Sequence, residues 1–357
     1  GCTVNRFGHT LYIDSRVITC CDIPESLMKE MRSSVIFLGA ILARTGEAVL
    51  SRPGGCELGP RPIDLHLSAL RAMGAEVTDD GDSIVCRADT LHGCVIRLPT
   101  PSVGATENSM LAASCANGTV TIVNAAREPE IWDLQEYLKK LGARICGAGT
   151  EEITIEGTRL CGFAEHTVIP DRIAAATYLS AAAATGGRVE VTGINPWYIA
   201  TVTDTLSQLG CAVSSGSDRV CADARRALHA AELIETRPYP GFPTDAQPPV
   251  MAASLRAAGT TVFSENIFTN RYRHVPGLVR LGADIRVSGR IAVVTGVPAL
   301  YAADFAATDL RGGAALGVAA LGAQGVSVLT DIQHIDRGYE DFDGCLRALG
   351  AQIRRVD

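Results

Sequence analysis

The sequence has little of what marks a protein that binds nucleic acid or spans a membrane. Charged residues make up 20% of its 357 residues, the net charge is −7, and no basic run occurs, so nothing attracts nucleic acid generally. No apolar run reaches the roughly 20 residues needed to cross a bilayer. The longest such run, 173–184, predicts a buried helix. Aromatic residues are scarce at 5% while hydrophobic residues reach 47%, which is typical of a globular protein.

The cysteine pattern argues against a disulfide scaffold and against zinc. The twelve cysteines form no C-x-x-C pair and show no zinc-ligand spacing with histidine. Most of them, including Cys115, Cys146 and Cys221, stand singly within apolar stretches and are predicted to be reduced core residues. Reduced thiols favour a cytoplasmic location.

A short pattern recurs five times along the chain. It consists of a large apolar residue, a glycine, a small residue, a variable residue and a β-branched residue, and the glycines stand at Gly74, Gly142, Gly210, Gly282 and Gly350. Each copy follows an amphipathic stretch, so each glycine is predicted to cap the C-terminus of a helix before the chain enters a strand. The chain is therefore predicted to consist of internal repeats.

The other half of each unit repeats as well. An Ala-rich helix leads into a strand, as 178–184 leads into 188–191, and a second strand follows each glycine copy, as at 291–294. Each unit is then roughly β-α-β-α-β-β. Such units could form a solenoid, but they are long for one. We predict instead an α/β protein of two compact domains with three repeats each, 1–169 and 170–357.

The chain opens within this pattern. Gly1-Cys2-Thr-Val4 has the form of the other copies, a turn is predicted at 7–9, and a strand is predicted at 11–13. Two domains of three repeats require six copies, of which five are complete. We therefore expect that the first repeat is incomplete and that an N-terminal segment is absent from this chain. A naturally short variant is the alternative.

Cys56 lies in a loop of unusual composition. Residues 53–62 contain three glycines and three prolines, which neither helix nor sheet tolerates. Arg52 and Arg61 flank the thiol, and nearby cations favour the reactive thiolate, while Pro62 suits the first turn of a following helix. The alternative is an ordinary free cysteine in a surface loop. The setting favours a nucleophilic or acid–base role.

Other polar residues stand where helices are predicted to begin. Ser102 suits an N-cap, and the amides after it suit an anion, although capping alone also explains this residue. Asp245 either caps a helix or accepts a proton from a substrate hydroxyl. Arg32, Arg311 and Arg337 are either solvated surface charges or bidentate partners of a phosphate or carboxylate.

Over its whole length the chain resembles the UDP-N-acetylglucosamine enolpyruvyl transferases, also called UDP-N-acetylglucosamine 1-carboxyvinyltransferases. The motifs that carry the resemblance occur in the same order: Pro-Gly-Gly-Cys56…Arg61-Pro-x-Asp-Leu-His66, Arg127-Glu-Pro-Glu130, Pro243-Thr-Asp245, Asn270-Arg271, Thr308-Asp-Leu-Arg311 and His334-Ile-Asp-Arg-Gly-Tyr-Glu340. The resemblance implies the enolpyruvyl transferase fold, with two inverted α/β domains built from tandem βαβαββ-like repeats.

The resemblance also implies the reaction. Enzymes of this family transfer the enolpyruvyl group of phosphoenolpyruvate to the 3'-hydroxyl of UDP-N-acetylglucosamine and release phosphate by addition and elimination. This is the first committed step of peptidoglycan synthesis, and it requires no metal or organic cofactor. Small-molecule substrates are thus the expected partners, with no nucleic acid and no membrane.

Residue roles follow from the same resemblance. Cys56 matches the lid cysteine that adds to phosphoenolpyruvate, serves as proton donor and is alkylated by fosfomycin. Asp245 matches the general base, and Arg337 matches a phosphoenolpyruvate-binding arginine. The implied substrate-binding residues are Arg32, Arg61, Pro62, Ile63, Asp64, Leu65, Ser102, Val103, Gly104, Ile267, Arg271, Asp309 and Arg311.

Two alternatives to this function remain at the level of sequence. The family's N-terminal Lys-Asn pair, whose lysine binds phosphoenolpyruvate, has no counterpart in this chain. A catalytically silent paralogue that binds a nucleotide sugar is therefore one alternative, and the chain alone is expected to have an incomplete site. The other alternative is 5-enolpyruvylshikimate-3-phosphate synthase, which has the same fold and chemistry. The Cys56 loop and the run 61–66 argue against it.

Overall fold

The computed structural model of the chain describes residues 2–30, 32–51, 63–158, 160 and 162–356, with the side chains at 29, 30 and 32 outside the description. The described residues form two compact units, one that runs to Val168 and one that starts at Ile169. Each unit has its own hydrophobic core.

The first unit contains a hairpin and two repeats. The hairpin consists of β1 (Thr3–Phe7) and β2 (Thr10–Asp14). The first repeat contains β3 (Asp22–Ile23), α1 (Glu25–Glu30), a 3-10 helix (Arg32–Ile36), α2 (Phe37–Thr45), β4 (Glu47–Ser51), α3 (Asp64–Ala72), β5 (Glu76–Asp79) and β6 (Ser83–Arg87). The second contains β7 (His92–Arg97), α4 (Val103–Ala113), β8 (Asn117–Val123), α5 (Pro129–Lys140), β9 (Arg144–Cys146) and β10 (Glu152–Glu156).

The second unit contains three repeats of unequal completeness. The first consists of α6 (Arg172–Thr185), β11 (Arg188–Thr192), a 3-10 helix (Pro196–Ile199), α7 (Ala200–Gln208), β12 (Ala212–Ser215) and β13 (Arg219–Asp223). Next come β14 (Leu233–Glu235), a 3-10 helix (Thr244–Ala246), α8 (Gln247–Ser254), β15 (Thr260–Ser264), a 3-10 helix (Arg271–His274), α9 (Val275–Arg280), β16 (Asp284–Ser288) and β17 (Ile291–Thr295). The last contains β18 (Asp304–Ala306), α10 (Leu310–Leu321), β19 (Val328–Thr330), α11 (Gln333–Asp336) and α12 (Phe342–Ala348).

The sheets confirm the predicted β-α-β-α-β-β unit. Three repeats build a four-stranded sheet with the same strand order: β3-β4-β6-β5, β7-β8-β10-β9 and β14-β15-β17-β16. In each sheet the first two strands pair in parallel and the remaining pairs are antiparallel. The other two repeats give the sheets β11-β13-β12 and β18-β19. The helix of each β-α-β connection joins the parallel pair, as parallel pairing requires.

The five repeated glycines cap helices as predicted. Gly74, Gly142, Gly210, Gly282 and Gly350 have φ between 95° and 101°, a region that residues with a Cβ rarely adopt. In each case the amide of the next residue bonds to the carbonyl five positions back, as Ala75 N bonds to Leu70 O at 3.0 Å. These bonds are those of a Schellman C-cap. The predicted strand follows the first four glycines, as β5, β9, β12 and β16, whereas residues 351–356 after Gly350 form no strand.

Four of the five repeats are also closed by a backbone bond that links the residue after the last strand to a glycine at or near the start of an earlier strand. Ala88 N bonds to Gly46 O at 2.9 Å, and Gly296 N bonds to Gly259 O at 2.9 Å. Equivalent bonds join Gly157 to Gly118 and Ala224 to Gly187. At Gly296 the fit is tight, because a Cβ would stand 1.7 Å from Ala257 O.

The inward faces of the sheets carry different side chains at equivalent positions. In the β8–β10 pair, Ile122 lies opposite Ile153. In the β15–β17 pair, Phe263 lies opposite Ala292. All four side chains are fully buried. In the first pair the two side chains are equal in size, whereas in the second pair β15 contributes a large side chain and β17 a small one.

Two core predictions are wrong. Cys115 and Cys146 are exposed, whereas Cys221 is buried as predicted. Cys146 ends the edge strand β9, and because Ile145 points inward, alternation turns the cysteine outward. Cys115 follows the C-cap of α4 and lies outside the helix. The predicted buried helix at 173–184 is confirmed, since α6 buries most of its residues.

Candidate active site

Asp245 lies at the centre of a charged cluster in the second unit. It belongs to the 3-10 helix that precedes α8, and its Oδ1 is 3.0 Å from Nη2 of Arg271. Its Oδ2 is 3.4 Å from Nε of Arg311. The N-cap of α8 is Ala246, so Asp245 does not cap that helix. The structure thus brings together three residues that the sequence singled out separately.

Each guanidinium of this cluster is held by further contacts. Arg271 is 1% exposed and also donates to the carbonyl of Thr244 at 2.9 Å. Arg311 occupies the first turn of α10, and its Cζ lies 5.1 Å from the centre of the Tyr339 ring. Burial alone would lower the pKa of Arg311, but neighbouring groups, with Asp245 foremost, raise it above its usual value. Both guanidinium groups are therefore held in place.

Tyr339 connects this cluster to α6. Its hydroxyl lies 2.8 Å from Oγ1 of Thr177, and burial raises the pKa of Tyr339 even though the charge of Arg311 opposes that shift. A phenol with a raised pKa stays neutral at physiological pH. Tyr339 therefore contributes an aromatic face to Arg311 and a hydrogen bond to the helix behind it.

Two further candidates of this unit, Asp309 and Arg337, have different surroundings. Asp309 is the N-cap of α10, and its Oδ1 accepts a hydrogen bond of 2.9 Å from Gly312 N. Asp309 is only 5% exposed, so capping accounts for this side chain. Arg337 follows α11 and is exposed. Within the described part of the chain, no ion pair joins Arg337 to Asp245.

Glu265 is a site residue that the sequence did not reveal. This fully buried carboxylate accepts two contacts of 3.0 Å from Oγ1 of Thr244. It also accepts amide hydrogen bonds of 2.9 Å from Ile267 and Phe268. Glu265 therefore ties the turn that carries Asp245 to the loop that carries Ile267. Its signal in the sequence was weak, since a single acidic residue stands there outside any motif that the sequence analysis singled out.

His274 is a second residue that the sequence did not reveal. It lies one turn after Arg271, is fully buried, and neither ring nitrogen has a hydrogen-bond partner among the described residues. Burial lowers its pKa, although the charge of Asp309 opposes the shift. If Gly312 carried a Cβ, that atom would lie 3.0 Å from the Cβ of His274. A neutral imidazole thus packs directly beneath the first turn of α10.

In the first unit the candidates gather at the starts of two neighbouring helices. Ile63 is the N-cap of α3, and Asp64 and Leu65 form its first turn. Ser102 is the N-cap of α4, and its Oγ accepts a hydrogen bond of 3.4 Å from Ala105 N. Capping by Ser102 is therefore confirmed, and Val103 and Gly104 follow as the first residues of that helix.

Four candidates cannot be described in this way. Cys56, Arg61 and Pro62 lie outside the described residues, as does the side chain of Arg32. The strand before this segment, β4, ends at Ser51, and the helix predicted after it is present as α3, which starts at Asp64. The roles of these four residues stay predictions.

The described ranges contain neither a candidate metal site nor a candidate membrane span. No group of three or more His, Cys, Asp or Glu side chains is arranged to hold a metal ion among these residues. Among the helices of the same ranges, none is both long enough and apolar enough to cross a bilayer.

Comparison with known proteins identifies the family. The sequence profile of EPSP synthase (3-phosphoshikimate 1-carboxyvinyltransferase) matches residues 3–346. UDP-N-acetylglucosamine 1-carboxyvinyltransferase 2 of Caldanaerobacter subterraneus subsp. tengcongensis is 46% identical over 356 residues, which are 100% of this chain and 85% of that protein. UDP-N-acetylglucosamine 1-carboxyvinyltransferase 1 of Carboxydothermus hydrogenoformans is 47% identical over 352 residues, which are 99% of this chain and 84% of that protein.

This chain belongs to the UDP-N-acetylglucosamine 1-carboxyvinyltransferase family. The resemblance drawn from its motifs is thereby confirmed, and the chain is a transferase. The enolpyruvyl transferase NikO from Streptomyces tendae has a similar structure, with a TM-score of 0.85 and 27% identity over 99% of this chain and 84% of that one. An EPSP synthase from Acinetobacter baumannii superposes with a TM-score of 0.73 at 18% identity over 100% of this chain and 86% of that one, which shows the shared fold.

Proposed function

We propose that this carboxyvinyltransferase moves the enolpyruvyl group of phosphoenolpyruvate to the 3'-hydroxyl of UDP-N-acetylglucosamine and releases phosphate. The names of relatives that are 46–47% identical along the whole chain support this choice of substrates. The observation that carries the chemistry is Asp245, a carboxylate held between the guanidinium groups of Arg271 and Arg311. The two compact units serve as the two domains, with their boundary near Ile169.

Asp245 acts as the general base in this proposal. In the addition step the 3'-oxygen of the sugar bonds to C2 of phosphoenolpyruvate, and its proton passes to Asp245 while C3 takes a proton from Cys56. In the elimination step C3 returns a proton to the Cys56 thiolate while the bond from C2 to the phosphate oxygen breaks, and the departing phosphate takes the proton held by Asp245. The hydrogen bond from Arg271 fixes the direction of one carboxylate oxygen, and such positioning lowers the barrier to proton transfer.

The arginines hold the negative charges. Phosphoenolpyruvate carries a phosphate and a carboxylate, each of which suits a planar guanidinium. Arg32, Arg61, Arg311 and Arg337 supply these contacts, and Arg271 orients the base. Because fixed cations stabilise the charge that develops in the tetrahedral intermediate, they favour the transition state over the bound substrates.

The starts of α3 and α4 bind the nucleotide sugar. The residues proposed for this contact are Arg61, Pro62, Ile63, Asp64, Leu65, Ser102, Val103 and Gly104. Asp309 and Ile267 are proposed as further substrate-binding residues on the strength of the family resemblance. The first amides of a helix have no acceptor within it and attract anions, so the start of α4 suits a diphosphate. The proposed setting is cytoplasmic synthesis of peptidoglycan, and the ten cysteines that the structure describes are all free, in keeping with a reducing compartment.

Phosphate release from phosphoenolpyruvate tests the proposal. The acceptors are UDP-N-acetylglucosamine and shikimate 3-phosphate, each with the unmodified chain and with Cys56→Ala. Release with the nucleotide sugar alone, lost in C56A, supports the proposed reaction and its lid cysteine. Release with shikimate 3-phosphate instead would indicate the sister enzyme. Binding of the nucleotide sugar without phosphate release would indicate a silent binding protein.

A further inference from the structure

Asn108 forms a buried junction between three helices of the first unit. Its Oδ1 accepts a hydrogen bond of 2.6 Å from Gly39 N of α2. Its Nδ2 lies 3.0 Å from Nδ1 of His66 on α3 and 3.4 Å from the carbonyl of Val35. Asn108 itself belongs to α4 and is 1% exposed. A Cβ at Gly39 would lie 2.4 Å from Oδ1, so only glycine admits this approach.

The partners of Asn108 determine which way its amide points. A backbone N–H can only donate, so the atom of Asn108 that faces Gly39 is the oxygen. The atom that faces His66 is therefore the NH2 group, which can only donate. Nδ1 of His66 must accept this hydrogen bond and carries no proton.

The protonation of His66 follows. Burial lowers the pKa of His66 to about 4, so the imidazole is neutral at physiological pH. A neutral imidazole holds one proton, and because Nδ1 is an acceptor the proton resides on Nε2. The structure thus selects one of the two tautomers.

The Nε2 edge of His66 lies beside the start of α4. A Cβ at Gly104 would stand 3.1 Å from Cε1 and 3.4 Å from Nε2 of this ring. His66 is 8% exposed. Among the described residues, the hydrogen bond of its ring is the one at Nδ1 with Asn108. The amides of Val103 and Gly104 point outward from the same turn without an acceptor in the helix. A buried side-chain donor therefore lies beside the helix start that carries these two backbone donors.

We propose that Asn108 is a positioning residue that holds His66 in the Nε2–H tautomer, and that this N–H donates a hydrogen bond to a phosphate oxygen of the nucleotide sugar at the start of α4. This inference rests on the proposed function, whose acceptor carries a diphosphate. Neutral donors suit the task, because a helix N-terminus already favours the anion and an Nε2–H needs no protonation change to bind it.

Two measurements test the inference, with UDP as the probe. The first is the 15N spectrum of the histidine side chains, in which the two neutral tautomers give distinct patterns; loss of one signal in His66→Gln assigns His66. The second is the dissociation constant of UDP by calorimetry. The variants are His66→Gln, whose amide nitrogen falls near the position of Nε2, His66→Asn, whose amide nitrogen falls near Nδ1, and Asn108→Asp, which can only accept from the ring.

The expected pattern separates positioning from folding. His66 shows the Nε2–H signature in the unmodified chain and loses it in N108D. H66N and N108D weaken UDP binding about tenfold, as expected for a lost hydrogen bond to a charged group, while H66Q stays within about threefold. Ser109→Ala, which removes a buried hydroxyl from the same helix, changes neither readout.

An Nδ1–H signature in the unmodified chain overturns the inference, and so does equal binding of UDP by H66N and H66Q. If N108D does not fold, the two His66 variants still decide the question. Absence of enolpyruvyl transfer, with the tautomer and the binding pattern as expected, overturns the proposed reaction alone, because neither readout requires phosphoenolpyruvate.

Discussion

Asp245 accepts a hydrogen bond of 3.0 Å from Arg271, a guanidinium that is 1% exposed, while Asp245 itself is 37% exposed. The pair therefore reaches from the core of the second unit to its surface. The cation is fixed from within, and the carboxylate keeps an accessible side for a substrate. Such a pair orients a base without burying it.

Replacement of Asp245 by asparagine removes the proposed base and keeps its shape. We expect Asp245→Asn to lower the rate of phosphate release by about 10²- to 10⁴-fold, because an amide oxygen is a far weaker proton acceptor than a carboxylate. The affinity for UDP, measured by calorimetry, stays within a few fold. Asp284→Asn on the exposed face of β16 is the matched control and keeps full activity. Full activity in D245N would assign the base elsewhere.

The Glu265 carboxylate is predicted to stabilise the second unit. Its four hydrogen-bond contacts join Thr244 to Ile267 and Phe268. Glu265→Ala leaves these donors buried without an acceptor, and we expect the free energy of unfolding to fall by about 2–4 kcal/mol, with a smaller loss in Glu265→Gln. Urea denaturation measures both.

The control for Glu265 is Glu232→Ala. Glu232 is exposed and lies just before β14, so we expect this substitution to change the free energy of unfolding by no more than about 0.5 kcal/mol. Equal unfolding curves for E265A and the unmodified chain would show that the carboxylate contributes no net stability.

Glu107 gives the first unit a defined pH dependence. Burial, with the charges of Glu130 and Glu128, raises the pKa of Glu107 to about 7 from its ordinary 4.5. A carboxyl with a raised pKa in the folded state stabilises the fold fully below pH 4.5, and this contribution disappears as the pH rises through about 7. We expect Glu107→Gln to raise the free energy of unfolding at pH 8 by about 2 kcal/mol and to change little at pH 4.

Urea denaturation at pH 4, 6 and 8 measures this effect. Glu136→Gln is the matched control, because the hydrogen bond from Lys139 lowers the pKa of Glu136 instead. That variant is expected to gain no stability at pH 8. Parallel pH profiles for E107Q and the unmodified chain would contradict the assignment.

The bond that closes the fourth repeat tolerates no side chain. We expect Gly296→Ala to lower the free energy of unfolding by about 3 kcal/mol, because its Cβ would meet Ala257 O and force the backbone apart. At the equivalent position of an earlier repeat the chain has Ala88. Ala88→Gly is the control and should cost about 1 kcal/mol or less, chiefly in backbone entropy. A mild G296A would show that this junction relaxes.

Local rules made much of the fold predictable. Gly74 and its four counterparts were identified as helix C-caps because the αL conformation depends on one residue and its immediate neighbours. The roles of Asn108 and Glu265 could not be predicted in this way. The hydrogen bond from Gly39 to Asn108 spans 69 positions, so it depends on how two helices pack, which no local pattern reports. Cys115 and Cys146 were misjudged because apolar neighbours do not determine which way a side chain points.

The candidate site, too, was predictable in part: its residues could be named from the sequence, but their contacts could not. Asp245 and Arg311 were singled out from separate motifs and lie 66 positions apart in sequence, and only the structure shows that they are in contact. The resemblance to the enolpyruvyl transferases placed both in one site, whereas local sequence left helix capping and surface charge open as alternatives. Cys56 and Arg61 stay predictions.

The shared strand order of the three complete repeats creates a sorting problem while the chain folds. A strand from one repeat has the length and hydrogen-bonding pattern to pair within another, and internal misassembly is a characteristic failure of repetitive chains. The inward-facing side-chain pairs Ile122–Ile153 and Phe263–Ala292 disfavour such pairing between repeats. If β15 paired with β10, Phe263 would meet Ile153 and overfill the core, while β8 against β17 would leave Ile122 facing Ala292 across a cavity. This difference in the division of volume disfavours the exchange of strands between the β8–β10 pair and the β15–β17 pair.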